Sequence, residues 1–188
     1  RITDQRMDNT KVMMGAVTGT LGEWGTEGLA AKHDVTTSLR RALIQGKNNC
    51  AARLGLDIGV KKVTDLAKLA GLGDLPQDPS TFLGRPEVSL HDLTLAYTIY
   101  PNGGVRPEKT WFVSRIEKPD GGVLYERPAA TKPVPVTDAV STWMTHSCLE
   151  ESLLLDIGTA SNAAKDYGLK DIPVAGKTGT HLNSTDLW

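Results

Sequence analysis

Nothing in the 188 residues approaches the roughly 18-residue apolar run that spans a bilayer. There are only two cysteines, Cys50 and Cys148, and neither lies in a CxxC pair. Two buried thiols are the plainest reading, and a disulfide between them stays open. Charge of one sign is lacking too: 21 Lys and Arg against 22 Asp and Glu leave a net charge of -1, so nothing points to nucleic acid or an anionic membrane as a partner. The four histidines, His33, His91, His146 and His181, are scattered without metal-ligand spacing, so no metal site is expected. There is no G-x-x-x-x-G-K-[ST] phosphate loop, and Pro101-Asn102-Gly103-Gly104 reads as a turn. Aromatic residues are 5% of the chain, and the four Trp are expected in core and hairpin packing, not on a stacking platform. The chain has no signal peptide and opens at Arg1 without Met, which suggests an excised piece. No internal repeat or low-complexity tract occurs.

What is present is ordinary for a globular domain: 39% hydrophobic residues, enough chain to bury a core, and turn signals between periodic segments. Residues 7–21 have the spacing of a short apolar helix (Met7, Val12, Met13, Ala16, Val17). Residues 34–59 read as two helices joined by a polar corner at Gly46-Lys47-Asn48-Asn49, with capping residues in Asp34 to Thr37 and apolar positions Leu39, Ala42, Leu43, Cys50, Ala51 and Leu54. "VKKVTDLAKLAGLG" is amphipathic through Val60, Val63, Leu66, Ala67 and Ala70, with a glycine stop. After a Pro-rich loop, Ser89 and Asp92 form a capping-box-like start. "TWFVSRIEKPDGGVLYE" has hairpin alternation around a Pro-Asp-Gly-Gly turn. A Pro-spaced linker leads to an amphipathic helix over 137–154 and a shorter helix, and "IPVAGKTGTHLNSTDLW" reads as a strand, a turn and the start of a partner strand. The fold class is α+β with an incomplete antiparallel sheet, and the closing strand is expected to pair with something outside residues 1–188.

The sharpest motif is Lys177-Thr178-Gly179-Thr180. On a strand, Lys177 and Gly179 share one face and Thr178 and Thr180 the other. An ammonium, two hydroxyls and a bare glycine backbone suit a ligand that carries a carboxylate and a peptide bond: the cation supplies field, the hydroxyls donate, and glycine admits another backbone. Alone the triplet is weak, since K-[ST]-G arises by chance in roughly one chain in ten of this length, and a solvent-exposed turn is then as good a reading.

Its surroundings are more specific. "DIGTASNAAKDYGLKDIPVAGKTGT", "EVSLHDLTLAYTIYPNGGVRPEKTWFVSRIEKPDGGVLYE" and "VTTSLRRALIQGKNNCAARLGLDIGVKKVTDLAKLAGLG" resemble, in the same order, stretches of class A penicillin-binding proteins. These are, respectively, the approach to the K-T-G strand, the helix, "NGG" turn and hairpin, and the helix pair carrying S-x-N; "DLW" resembles the start of the next strand. The likeness covers most of residues 34–188. It implies a β-lactamase/transpeptidase-like fold, a single transpeptidase-like domain over 1–188 truncated at one or both ends, and no cofactor. It implies D-Ala-D-Ala stem peptides of peptidoglycan, or β-lactams, as ligands, other cell-wall synthesis proteins as partners, an extracytoplasmic location, and membrane attachment only through a segment outside this chain. By position it assigns Asn48 and Lys177 to catalysis and Thr178, Gly179 and Thr180 to substrate binding.

Two departures from the family pattern bear on catalysis. Gly46 stands where the S-x-N serine supplies a hydroxyl for proton transfer, and no Ser-x-x-Lys occurs anywhere in the chain. The nearest stretch is "DNTK" followed by apolar "VMMGAV". This places Asp8 at the nucleophile position and Lys11 at that of the general base, or makes Asp8 the N-cap of an unrelated helix, since the interval to Gly46 is short for the family. An aspartate there would pair with lysines and form no useful acyl-enzyme. The sequence thus implies a transpeptidase-like domain whose catalysis is in doubt. The alternatives are a non-catalytic pseudo-transpeptidase serving as a peptide- or protein-binding scaffold, or a partial domain with its nucleophile elsewhere in a parent chain.

Overall fold

A computed structural model describes residues 1–5, 35–129 and 132–179. The helix expected at 7–21, the "DNTK" stretch, Thr180 and the closing "DLW" lie outside the described residues. The order of elements is β1 (Ile2–Thr3), β2 (Thr36–Thr37), α1 (Leu39–Gln45), α2 (Asn48–Ile58), α3 (Val60–Ala70), a 3-10 turn at Pro79–Leu83, α4 (Leu90–Tyr97), β3 (Val105–Arg106), β4 (Arg115–Glu117), β5 (Val123–Glu126), β6 (Val134–Pro135), α5 (Ala139–Leu154), α6 (Ser161–Asp166) and a 3-10 turn at Leu169–Asp171. None of the described helices is long and apolar enough to cross a membrane.

Local chemistry accounts for most boundaries. The Ser38 hydroxyl caps α1 by accepting from the Arg41 amide at 3.1 Å, so the cap lies one residue beyond the expected Asp34 to Thr37 stretch. The two threonines there form β2 instead, antiparallel to β1 with Ile2 opposite Thr37. Ser89 caps α4 and its hydroxyl also reaches the Asp92 carboxylate at 2.7 Å, as its spacing anticipates. Asp138 caps α5 through the Ser141 amide at 2.9 Å. The expected hairpin forms, but its ladder starts at Arg115, not Trp111, and pairs Ile116 with Tyr125. Within the Pro-spaced linker β6 pairs with β3, Val105 opposite Pro135.

The sheet is therefore three separate two-stranded antiparallel pairs among the described residues, and helices carry the core. Ala70, Ala96 and Val136 bring α3, α4 and the segment before α5 together, backed by Leu72 and Ile99. In α1 and α2 the inward residues include Ala42, Ile44, Asn49, Cys50 and Ala52, and Leu39 turns out to solvent. In α3, Thr64 takes the buried place expected of Leu66, its hydroxyl satisfied by the Lys61 carbonyl at 3.0 Å. Along α5, Thr142, Cys148, Leu149 and Ser152 face inward, while Val140, Trp143 and Met144 form an apolar stripe on the outside. Trp143 and Trp111 are thus exposed, contrary to the expectation for the tryptophans; for Trp143 the reason is that the buried side of α5 is filled by smaller residues. Cys50 and Cys148 are both buried, and no disulfide joins them.

Between α6 and the chain's close, the strand expected from residue 172 onward is not formed among the described residues. Residues 173–179 have no ladder partner among the described residues; the Gly176 amide instead donates to the Leu149 carbonyl on α5 at 3.2 Å.

Candidate ligand-binding site

The site is assembled at the end of α1, where three segments meet. α1 is fastened along α5 by Arg40, whose guanidinium makes a two-pronged contact with the Glu151 carboxylate at 2.8 and 2.6 Å and donates to the Ser147 hydroxyl at 3.0 Å. That hydrogen bond is the main reason the Glu151 carboxyl titrates below its ordinary range. Gly46 ends the helix in the left-handed region, φ 65° and ψ 42°, with its amide and that of Lys47 closing on the Leu43 and Ala42 carbonyls at 3.1 and 2.9 Å. A side chain is strained in this conformation and glycine is not. α2 restarts at Asn48.

The second segment is the turn after α5. Gly158 packs so tightly on the end of that helix that a methyl group there would overlap the Ser152 carbonyl. This close passage carries Thr159 back to α1, where its amide meets the Ile44 carbonyl at 3.4 Å, one of the carbonyls that a helix end leaves without an intrahelical partner.

The third segment carries the K-T-G motif. Ser152, fully buried, places its hydroxyl within reach of both the Leu149 carbonyl (2.9 Å) and the Gly176 carbonyl. With the Gly176 amide bonded to Leu149, residue 176 is held against α5 on two sides, and Lys177 is aimed at the corner. The Lys177 ammonium donates to the Thr159 hydroxyl at 3.2 Å, to the Thr178 carbonyl at 3.1 Å and to the Thr178 hydroxyl at 3.2 Å. The two threonine hydroxyls lie 2.7 Å apart. A methyl group built on Gly46 would stand 3.2 Å from both Lys177 Nζ and the Thr159 methyl.

This arrangement has a clear electrostatic character. All three contacts of the ammonium are to neutral oxygens, and among the described residues no carboxylate faces it. Partial burial, which penalises the charged form, lowers the Lys177 pKa from the ordinary lysine value. Thr159 and Thr178 remain exposed, so the polar edge beside the ammonium is open to solvent. A half-buried cation flanked by two accessible hydroxyls is equipped to receive an anionic group, with hydrogen bonds fixing its orientation.

The structure therefore brings together Gly46, Lys177 and Thr178 of the sequence-derived set; Gly179 follows directly, and Asn48 sits two residues beyond Gly46 on the same corner. Asp8, Lys11 and Thr180 lie outside the described residues. Thr159 was not singled out by sequence reasoning. Its only signal was a threonine straight after glycine in "DIGTA", and nothing local reveals that it meets a lysine 18 residues further on. The described histidines have other partners: the two ring nitrogens of His91 contact Asp92 and Thr110, and His146 approaches Glu150. No group of His, Cys, Asp and Glu suited to a metal occurs among the described residues.

Comparison with known proteins places this geometry in a lineage. No family model matches the chain. Individual relatives do: it is 32% identical over 187 residues to penicillin-binding protein 1A of Rickettsia bellii, covering 88% of this chain and 23% of that protein. It is 29% identical over 167 residues to penicillin-binding protein 1B of Haemophilus influenzae, covering 88% of this chain and 20% of that protein. The chain thus spans about a fifth of the length of these relatives. Among solved structures, penicillin-binding protein 3 of Mycobacterium tuberculosis, complexed with aztreonam, superposes with a TM-score of 0.62 at 22% identity, over 80% of this chain and 38% of that one.

Proposed function

This chain is a homologue of the penicillin-binding proteins with the fold of their transpeptidase domains, and on that premise we propose that it forms the carboxylate-binding wall of a domain for D-Ala-D-Ala stem peptides of peptidoglycan. β-Lactams, which mimic those peptides and also carry a carboxylate, would occupy the same wall. Binding is non-covalent as far as residues 1–188 are concerned.

The observation that carries this reading is the approach of Lys177 to the side of Gly46 where a β-carbon would stand. Where the family pattern has a hydroxyl to pass a proton, there is only a glycine against the ammonium. The cation keeps its electrostatic role while the proton-transfer partner is missing. Lys177 attracts the terminal carboxylate of the peptide, and Thr178, with Thr180 next in the motif, donates to it. Gly179 lets the peptide backbone come close. Asn48, at the start of α2, would hydrogen-bond the peptide amide, as the family pattern implies. Lys11 and Asp8 would form the floor if "DNTK" occupies the nucleophile position, an aspartate there being unable to give a useful acyl-enzyme. The work is done by a lysine and hydroxyls, with no cofactor called upon. The location that goes with such ligands is extracytoplasmic, beside other proteins of cell-wall synthesis.

The test is incubation with a penicillin followed by intact mass, alongside titration with an N-acetylated peptide ending in D-Ala-D-Ala. The expected result is no mass increase on this chain, with saturable peptide binding that weakens about tenfold or more in Lys177→Met. A stoichiometric adduct on one hydroxyl of residues 1–188 would overturn the non-covalent reading. An adduct on a serine elsewhere in a longer polypeptide would instead make this wall part of a working acyl-transfer site. Absence of any peptide binding would argue for the scaffold role alone.

A further inference from the structure

The Gly46-Lys47-Asn48 corner is gripped from its other side. Asp4, the residue after β1, has no exposed surface, and its carboxylate Oδ2 lies 2.9 Å from Lys47 Nζ, itself on a side chain only 15% exposed. The other carboxylate oxygen, Oδ1, lies 3.8 Å from the buried Cys50 thiol, which also faces the Thr3 carbonyl at 3.8 Å. The end of β1 is thereby pinned to both the corner and the first turn of α2. Lys47 is the N-cap of α2 yet makes no side-chain capping bond there; its ammonium reaches Asp4. The residue before it, Gly46, abuts Lys177.

We propose that Asp4 is a positioning residue for the ligand site: by holding Lys47 it sets the Gly46-Lys47-Asn48 corner against Lys177. The inference rests on the reading of this corner as a ligand wall. Its physical basis is that the attraction within a buried ion pair is largely offset by desolvation of the two charges, so the pair's effect is on where the corner sits more than on how stable the fold is. A corner with an αL glycine has no side chain of its own with which to fix that distance. Lys47 supplies the anchor one residue on, and the strand pair β1–β2 supplies a fixed point for the anchor.

The experiment compares Asp4→Asn, Lys47→Met, Lys47→Arg and the double variant Asp4→Asn/Lys47→Met in the full chain. Two readouts are taken: the titration of the Lys177 side chain by NMR, assigned with Lys177→Arg, and affinity for the D-Ala-D-Ala peptide. With the grip released, the corner withdraws, Lys177 becomes better solvated, and its titration moves up toward that of an exposed lysine in Asp4→Asn, Lys47→Met and the double variant. Peptide affinity falls about tenfold in the same three. Lys47→Arg, which keeps a cation facing Asp4, retains both properties. Should the single variants fail to fold, the double variant, which removes both charges of the Asp4–Lys47 pair together, carries the test. Unchanged Lys177 titration in a folded Asp4→Asn or double variant would overturn the proposal, as would loss of affinity without movement of Lys177. A moved titration with no peptide bound even by the parent chain would sustain the positioning role and refute the peptide-binding reading.

Discussion

Gly46 and Lys177 face each other across the site: a β-carbon built on Gly46 would lie 3.2 Å from the lysine Nζ. The same glycine sits at φ 65°. Backbone conformation and ligand chemistry are therefore coupled at one residue. Gly46→Ser, which restores the S-x-N pattern on paper, is expected to destabilise the fold by about 1–2 kcal/mol, the cost of a non-glycine residue in the left-handed region. It also presses on Lys177 and the Thr159 methyl. Urea denaturation measures the first effect. Titration of Lys177 by NMR follows the second, and no penicillin adduct is expected on the variant, because a hydroxyl at 46 restores the proton-transfer position and not that of the nucleophile.

The half-buried Lys177 gives a pH signature in two opposed directions. Its pKa in the folded chain lies below the ordinary 10.5 because of burial. At pH below the folded value both states hold the proton, and the folded state bears the cost of a poorly solvated cation. As pH rises through the folded value toward 10.5, the folded lysine sheds its proton first, and stability gains from this group. Affinity for a carboxylate ligand falls over the same range, because the attracting charge is lost. The difference in urea midpoint between the parent chain and Lys177→Met, followed from neutral to alkaline pH, should rise in favour of the parent. A flat difference, or ligand affinity indifferent to alkaline pH, would show that Lys177 is solvated like any surface lysine.

Ser152 offers a test of how the motif is held. Its fully buried hydroxyl sits between the Leu149 and Gly176 carbonyls. Ser152→Ala withdraws that donor and is expected to cost about 1–3 kcal/mol, the range for leaving a buried polar group without its partner. Because Gly176 directly precedes Lys177, peptide affinity should drop as well, whereas Ser141→Ala, exposed near the start of α5, should leave affinity unchanged. Equal losses in the two variants would mean that Ser152 does not position the motif.

The sequence disclosed those features whose cause is local. Ser89 and Asp92 lie within one helical turn, so their cap is written in their spacing. The break at Gly46-Lys47-Asn48 is visible because glycine and polar residues interrupt an apolar period. The K-T-G triplet stands out by its residue types, although on its own it reads equally well as an exposed turn. What stayed hidden depends on partners distant in the chain. β1 and β2, or β3 and β6, are two-residue strands with no period to detect, and they exist because other segments bring them together. The residues of 173–179 suggested a strand, but Gly176 is bonded to α5 and Lys177 and Thr178 to Thr159. The α5 sequence was read as amphipathic, yet Trp143 is exposed: its buried side is lined with Thr142, Cys148, Leu149 and Ser152, which apolar counting undervalues. Thr159 and the Asp4–Lys47 pair belong to this second kind, fixed by three-dimensional proximity and invisible to spacing.

The tightest of those long-range fits concerns Gly158. It directly precedes Thr159 and passes so close to the end of α5 that a methyl group would overlap the Ser152 carbonyl, with the Ser152 Cα also within 2.9 Å. Backbone cannot swing aside as a flexible side chain can. The same carbonyl accepts from the Ala160 amide at 3.2 Å, so it is fixed from both sides of the glycine. Gly158→Ala is therefore expected to push the turn outward at a cost of about 1–3 kcal/mol, the range for overpacking a filled site, and to carry Thr159 away from Lys177. The ammonium then keeps its contacts to Thr178 but loses the Thr159 hydroxyl. Peptide affinity should fall by about as much in Gly158→Ala as in Thr159→Val, and the two changes combined should cost less than their sum, because each removes the same hydrogen bond. Strict additivity of the two in a double-mutant cycle would show that Gly158 acts on stability alone and that Thr159 reaches the ligand by another route.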